Sequence, residues 1–352
     1  MENLRYGFTT GTCAAGAARA AAQGLTTDTG SIPDSVEVIT PSGIPARLEV
    51  LEKRLKPGLF AQSAVRKDAG DDPDVTHGCL IFARVEPCPG KGVVIKGGEG
   101  VGRVTRPGLR VPPGEAAINP VPRTMIRDSV SGFMGRDTGL KVTISVPGGR
   151  KIAEKTFNPR LGILDGISII GTTGVVKPMS LESLKASLVC ALDVARAMGH
   201  ETVILVPGNL GENAVLRTFK VPTEQIVQIS NFLGFGLTEA GERGFSRIIL
   251  AGHPGKLAKL IRGDLDTHSM KSPPAMDVVV KILEENGLEE SIIRIIKDSP
   301  TVEGIIQQLK RNDKLFMMDD IADIIGDKAR GFLGPEVDVG VVLFDMQMDV
   351  TG

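Results

Sequence analysis

The stretch KDAGDDPDVTHG, residues 67–78, places four carboxylates within seven positions, at Asp68, Asp71, Asp72 and Asp74. Such a cluster can hold a hard cation, pair with basic groups, or fold into Asx turns around Gly70 and Pro73. The spacing does not match a calcium-binding EF-hand loop, which needs alternating acidic positions, a central glycine and a later glutamate. Lys67 and His77 flank the cluster; His77 reads either as a general base or as a hydrogen-bonded loop histidine. A second polar segment, Gly-Phe-Thr-Thr-Gly-Thr at 7–12, runs into an alanine-rich helix. Thr9, Thr10 and Thr12 there stand ahead of free helix N–H groups, an arrangement suited to anions or to simple capping.

A third segment, 96–127, holds Lys96, Arg103, Arg106, Arg110, Arg123 and Arg127 against only Glu99 and Glu115. In a chain of net charge −1 this local excess suggests a polyanionic ligand, because the planar guanidinium matches carboxylates with two hydrogen bonds at a time. A solvated basic surface is the alternative. Three glycine-rich turns then follow apolar β-branched runs: Gly171-Thr172-Thr173-Gly174, Gly208-Asn209-Leu210-Gly211 and Gly252-His253-Pro254-Gly255-Lys256. Open α/β sheets take ligands beyond the carboxyl ends of their strands, so three such loops suggest a small-molecule cofactor. No Gly-Lys-Ser/Thr follows a glycine loop, and no Gly-x-Gly-x-x-Gly joins a strand to a helix, which argues against a P-loop or dinucleotide fold.

The elements that must position these residues differ between the two halves. Up to about residue 160 the chain reads as one helix, Cys13 to Gln23 with Thr12 as its N-cap, followed by short strands at 35–40, 46–50, 80–85, 93–96 and 141–146. From Gly162 onward strands at 166–171, 202–206, 247–251 and 339–344 alternate with helices, the first from Ser180 to Met198. Two domains are expected, 1–160 and 161–352, with the boundary near Asn158–Gly162. The first is mixed α+β; the second is a Rossmann-like, mostly parallel α/β domain.

The bulk composition excludes several function classes. With no Trp and one Tyr, stacking platforms for single-stranded nucleic acid are hard to build, and a net charge of −1 gives no pull toward DNA or anionic membrane. Four scattered cysteines form no CxxC pair, so no zinc site is expected and a reducing compartment is. The amino terminus lacks the regions of a signal peptide, and no apolar run approaches the ~18 residues of a spanning helix. A cytoplasmic location follows as the expectation.

Read in order, GFTTGTCAAGAARAA, KDAGDDPDVTHG, GGEGVGRVTRPGL, GEAAINPVPRTMI, NPRLGILDGISIIGTTGVVKPMS, LVPGNLGE, ILAGHPGKLAKL and DTHS resemble the CbiD family along essentially the whole chain. Asp266 stands where relatives carry asparagine. The family comprises the cobalt-precorrin-5B C(1)-methyltransferases of oxygen-independent cobalamin (vitamin B12) biosynthesis. The resemblance implies S-adenosylmethionine as methyl donor and a cobalt tetrapyrrole as acceptor, methylated at carbon 1 to give cobalt-precorrin-6A, with cobalt present only in the substrate. It implies positioning roles for Asp68, Asp71 and Asp72, with His77 the candidate for proton removal. Thr9, Thr10, Thr12, Lys67, Arg103, Arg106, Asn119 and Arg123 are then expected to grip the macrocycle. The donor is expected at Gly171, Thr172, Thr173, Gly208, Asn209, Gly211, Gly252, His253 and Gly255. A non-catalytic tetrapyrrole carrier of the same pathway is the alternative, and transient contacts with neighbouring pathway enzymes are compatible with either.

Overall fold

Seven alanines among seventeen residues favour a helix and leave almost no side chain to hold its neighbours away. The result is α1 (Thr10–Thr26), which follows a two-residue strand β1 (Gly7–Phe8) and runs buried through the first part of the molecule. Close approach explains Gly16, where a Cβ would lie 2.4 Å from Leu48 Cδ1. The structure is a computed structural model and describes residues 4–26, 30–134 and 138–352. The chain divides into two compact units, Met1–Leu181 and Glu182–Gly352.

In the first unit the hairpin β2 (Ser35–Ile39) and β3 (Pro45–Glu49) alternates buried and exposed residues. β4 (Leu51–Lys56), β5 (Phe60–Arg66) and β6 (Leu80–Gly97) continue into a second sheet. β7 (Arg103–Val104), α2 (Pro120–Ser131), β8 (Thr138–Ser145), α3 (Gly149–Ala153), β9 (Ile163–Leu164) and β10 (Val175–Val176) complete the unit. The sheet order is β4-β5-β6-β8. The two strands expected at 80–85 and 93–96 are arms of β6 that meet at an irregularity between Pro89 and Val93. Val142 of β8 pairs with Val85 of one arm and Ile95 of the other.

Two expectations need correction. The helix begins at Thr10, and its first turn is capped by Thr9, whose Oγ1 accepts the Thr12 N–H at 3.3 Å; Thr12 is already inside. The run 166–171 is no strand of the parallel sheet. It is laced into the first unit: β9 pairs with β7, Ile167 bridges Val101, Ile169 bridges Ile118, and β10 pairs with β1. Ile167 and Ile169 are buried in the same core as α1. The compact unit therefore ends near residue 181, about twenty residues later than the sequence pattern suggested.

The second unit opens with α4 (Leu181–Ala197), closed by Gly199 at φ 87°. β11 (Thr202–Val206), α5 (Asn209–Thr218), β12 (Ile226–Gln228), α6 (Leu233–Glu242) and β13 (Arg247–Gly252) follow. Next come α7 (Pro254–Leu257), α8 (Met276–Glu285), α9 (Glu290–Lys297), α10 (Val302–Arg311), α11 (Met317–Leu333) and β14 (Asp338–Leu343). The four strands are parallel in the order β12-β11-β13-β14. Alternate residues serve two cores: Val203, Leu205, Ile248 and Leu250 meet the cluster containing α4, α6 and α8 to α11, whereas Ile204, Val206 and Ala251 meet α5. Period-two burial on both faces explains why these strands read as unbroken apolar runs. Among the described residues no helix is long and apolar enough to cross a membrane.

Candidate active site

The threonines of the first turn of α1 do not face outward. Thr10 Oγ1 accepts the Ile170 N–H at 2.8 Å, and Thr12 Oγ1 donates to the Gly174 carbonyl at 2.7 Å. Thr9 Oγ1 lies 3.1 Å from Thr12 Oγ1. All three side chains are buried, so they fasten the helix amino terminus to the loop 168–174. Gly171 is required there: its φ is 136°, and a Cβ would lie 2.2 Å from Thr9 Oγ1. Thr173 Oγ1 donates to the Val175 carbonyl at 3.0 Å, while exposed Thr172 keeps its hydroxyl unengaged among the described residues. The Gly-Thr-Thr-Gly loop thus packs beside Gly7–Thr12 and is part of the first unit.

The aspartates each hold a specific backbone or side chain. Asp68 forms an ion pair with Arg5 and accepts the Gly70 N–H at 2.9 Å; Asp71 Oδ2 accepts the Arg5 N–H at 2.6 Å. Asp72 Oδ1 accepts the Met179 N–H at 2.9 Å. Asp74 takes Lys67 Nζ at 2.6 Å and both the N–H and hydroxyl of Thr76, at 2.8 and 2.7 Å. Lys67, 2% exposed, is therefore a buried structural cation whose charge is already neutralised. The hydrogen bond from Arg5 is the main reason that the Asp68 carboxyl is pulled down to about 2. His77 Nδ1 accepts the Ala69 N–H at 3.1 Å, which puts the ring proton on Nε2 and occupies the lone pair a base would use. These bonds bind three strands of chain together, since the Phe8 N–H also reaches the Asp68 carbonyl at 2.8 Å. Arg5 and Met179 were invisible as partners in the sequence, because both lie outside the motifs they complete.

Asn119 joins the same neighbourhood through its N–H, which donates to the Ile169 carbonyl at 3.0 Å. It stands at the N-cap of α2 with Pro120 next, and its half-buried side chain makes no capping bond. The arginines after it are partly committed. Arg123 donates to the carbonyls of Ile118 and Ala116, at 2.8 and 3.3 Å, and to Glu115 at 3.0 Å. Arg103 reaches the Gly114 carbonyl at 2.7 Å and Arg106 the Arg160 carbonyl at 2.9 Å. Each brace uses part of a five-donor fork, so donors remain. Lys96, Arg110 and Arg127 are exposed and make no ion pair among the described residues. An open cavity of about 680 Å³ lies near this segment, lined by Glu99, Gly100, Gly148, Arg150, Lys151, Glu154 and Asp165. Three acids against two bases leave it without positive character, so it is not where the basic excess is expressed.

In the second unit Gly252 is the last residue of β13 and Gly208 lies two residues beyond the end of the neighbouring β11, where the strand order turns back on itself. The backbone at Gly208 is extended, and a Cβ there would meet nothing within 4 Å. Gly211 and Gly252 are instead packing glycines: a Cβ would lie 2.8 Å from the Ala251 carbonyl oxygen and 2.8 Å from Pro207 Cδ respectively. Asn209 Oδ1 accepts from Gln228 Nε2 at 2.8 Å, and Gln228 also bonds the buried carboxylate of Glu212. His253 caps α7, its Nδ1 accepting the Gly255 N–H at 3.0 Å, while Nε2 faces Glu303 Oε2 at 3.0 Å. Glu303 also accepts the Met346 N–H at 3.2 Å. Gln228, Glu212 and Glu303 were missed in the sequence because nothing local marks them; the sheet alone brings them to this edge.

The CbiD family model matches residues 1–178, and that of the CbiD C-terminal domain matches residues 266–352. The chain is 42% identical over 352 residues to a cobalt-precorrin-5B C(1)-methyltransferase of Thermoanaerobacter sp. (strain X514), covering 99% of this chain and 95% of the relative. The protein of the same name from Moorella thermoacetica is 40% identical, covering 100% and 95%. That from Salmonella typhimurium is 44% identical over 307 residues, covering 87% and 80%. Among solved structures, the cobalamin biosynthesis protein (cbiD) from Archaeoglobus fulgidus is 31% identical over 72% of this chain and 78% of its own, with a TM-score of 0.39. Model and relatives together span both units, and the chain belongs to the CbiD family.

Proposed function

We propose that this chain is a cobalt-precorrin-5B C(1)-methyltransferase of cobalamin biosynthesis that uses S-adenosylmethionine as methyl donor. One observation carries the reading: relatives bearing that name align over the full length of both units, at 42% identity. The acceptor is a tetrapyrrole fringed with carboxylates, for which the first unit offers exposed Lys96, Arg103, Arg110 and Arg127, with Arg106 and Arg123 bracing the same loop. An exposed ion pair contributes only ~0–1 kcal/mol, so several must act together. Asn119 and Thr172 add unengaged polar groups beside the α1 terminus.

The second unit, read as Rossmann-like, suits the donor. Beyond Gly208 the backbone is open, the N–H groups that begin α5 have no side-chain cap, and Glu212 supplies a buried carboxylate nearby. Open backbone N–H groups suit acceptor atoms of the donor, and a carboxylate suits its ribose hydroxyls, so these residues fit the group. S-adenosylmethionine supplies a methyl on a sulfonium that is already an activated leaving group. What the protein must add is alignment, which can recover ~7–11 kcal/mol of barrier. On this reading Asp68, Asp71 and Asp72 act at one remove, holding Arg5 and Met179 so that the loops around Thr172 keep their shape. His77, whose Nδ1 accepts the Ala69 N–H, holds the same loop on this reading, and transfer from a sulfonium to an electron-rich carbon gives it no required role as a base.

The test is incubation of the purified protein with labelled S-adenosylmethionine and cobalt-precorrin-5B, followed by mass detection. One added methyl per macrocycle is expected. Tight tetrapyrrole binding with no methyl added would replace the enzyme with a carrier.

A further inference from the structure

Two lysines stand one turn apart just past the carboxyl end of β13, and among the described residues neither makes an ion pair. Lys259, only 6% exposed, donates Nζ to the carbonyls of Thr267 and Ser272 at 3.1 and 2.9 Å. Lys256, half-buried, donates Nζ to Asn231 Oδ1 at 3.0 Å. Among the described residues neither forms an ion pair. The acids close by are already engaged: Asp264 by Arg262 at 3.1 Å and Ser272 at 2.7 Å, Asp266 by Lys271 at 2.6 Å.

A buried ammonium hydrogen-bonded only to neutral carbonyls is costly, since Asp264, the carboxylate that feels the Lys259 charge, is also bonded by Arg262, and a second cation beside it adds repulsion in a region where water screens weakly. Burial pushes the Lys256 ammonium down, and the charge of Lys259 adds to the effect. Such an arrangement persists where an anion completes it. Each ammonium has three donors; Asn231 takes one from Lys256, which leaves two. The location is also where ligands of open α/β sheets sit: Asn231 follows β12, Lys256 follows β13, and the Asn231 carbonyl ties in the Thr267 N–H at 2.9 Å.

We propose that Lys256, braced by Asn231 and backed by Lys259, binds a carboxylate of a small-molecule ligand. The identity of that ligand rests on the methyl-transfer reading, under which two molecules carry carboxylates: the donor, at its amino-acid end, and the macrocycle, at its arms. A single ammonium offers a point charge suited to one carboxylate oxygen, and the donor's lone carboxylate is the simpler match.

The experiment is calorimetric titration of wild type, Lys256→Gln and Lys256→Arg with four probes. These are S-adenosylhomocysteine; methylthioadenosine, which lacks the amino-acid end; a cobalt tetrapyrrole with free carboxylates; and its methyl ester. Lys256→Gln is expected to weaken S-adenosylhomocysteine by about tenfold, leave methylthioadenosine unchanged, and be rescued by Lys256→Arg. A loss confined to the free-acid tetrapyrrole supports the same site with the macrocycle as its carboxylate source. Unchanged affinity of Lys256→Gln for both acid probes overturns the inference while the methyl-transfer reading stands on its own assay. Wild-type protein that binds neither acid probe overturns both. Unaltered thermal melts of the two variants keep a folding defect from imitating the expected loss.

Discussion

Replacing Gly208 with valine separates a ligand glycine from a packing glycine. A Cβ at Gly208 meets nothing within 4 Å, and the extended backbone there accepts any side chain. The fold should change by no more than about 0.5 kcal/mol, as for other unconstrained surface positions. Gly252→Ala is the contrast, since its Cβ would be driven to 2.8 Å from the Pro207 ring. Overpacking of that kind costs about 1–3 kcal/mol, and each kcal/mol lowers the Tm of a unit this size by about 2–4 °C. If the donor runs over the open backbone at Gly208, an isopropyl group occupies its path and S-adenosylhomocysteine should bind at least tenfold more weakly, about 1.4 kcal/mol. Titration calorimetry and scanning calorimetry on the same sample read both quantities. Full affinity at an unchanged Tm refutes the placement of the donor. A large fall in Tm for Gly208→Val would refute the claim that the space is empty.

Arg103→Ala should raise the tetrapyrrole KM much more than it lowers kcat, as for a group that grips substrate and transition state alike; collapsed kcat at unchanged KM would move Arg103 into the chemistry. Arg123→Ala should do the same and also lose about 1–2 kcal/mol of stability, because it releases the Ile118 and Ala116 carbonyls. Lys67→Met strands Asp74 without its buried partner and should cost about 3 kcal/mol in denaturant unfolding of the full chain; a loss under about 1 kcal/mol would show that Thr76 alone suffices. Asp68, held at about 2 chiefly by Arg5, favours the folded state in its ionised form. That contribution is complete above about pH 4 and is lost as pH falls through about 2. Asp68 is half exposed, so Asp68→Asn should lie below wild type by less than about 1 kcal/mol at neutral pH and converge with it in acid; a gap that widens on acidification contradicts the pairing.

Much of the architecture is legible in the residues. The alanines of α1 announce a core helix, and the runs at 202–206, 247–251 and 339–344 announce buried parallel strands, because both patterns follow from local propensity and from burial on two faces. The glycine-rich loops after β11 and β13 are marked in the same way. What the sequence could not separate is a glycine that leaves room for a ligand from one that leaves room for a neighbour: Gly208 and Gly252 look alike until Pro207 is seen beside the second. Nor could it tell a functional carboxylate from a fastening one. The four aspartates resemble a reactive cluster, yet Arg5, Met179, Lys67 and Thr76 claim their oxygens.

The order of residue types along the chain determined the helices, the strands, the basic segment and the family. Tertiary structure alone decided that Gly171–Gly174 closes over the α1 terminus, and that Lys256 and Lys259 stand together with no ion pair among the described residues. The reason is physical. Propensity and periodicity act over a few residues, whereas the bonds that settle these roles join positions as far apart as Thr12 and Gly174, whose meeting depends on how buried faces pack.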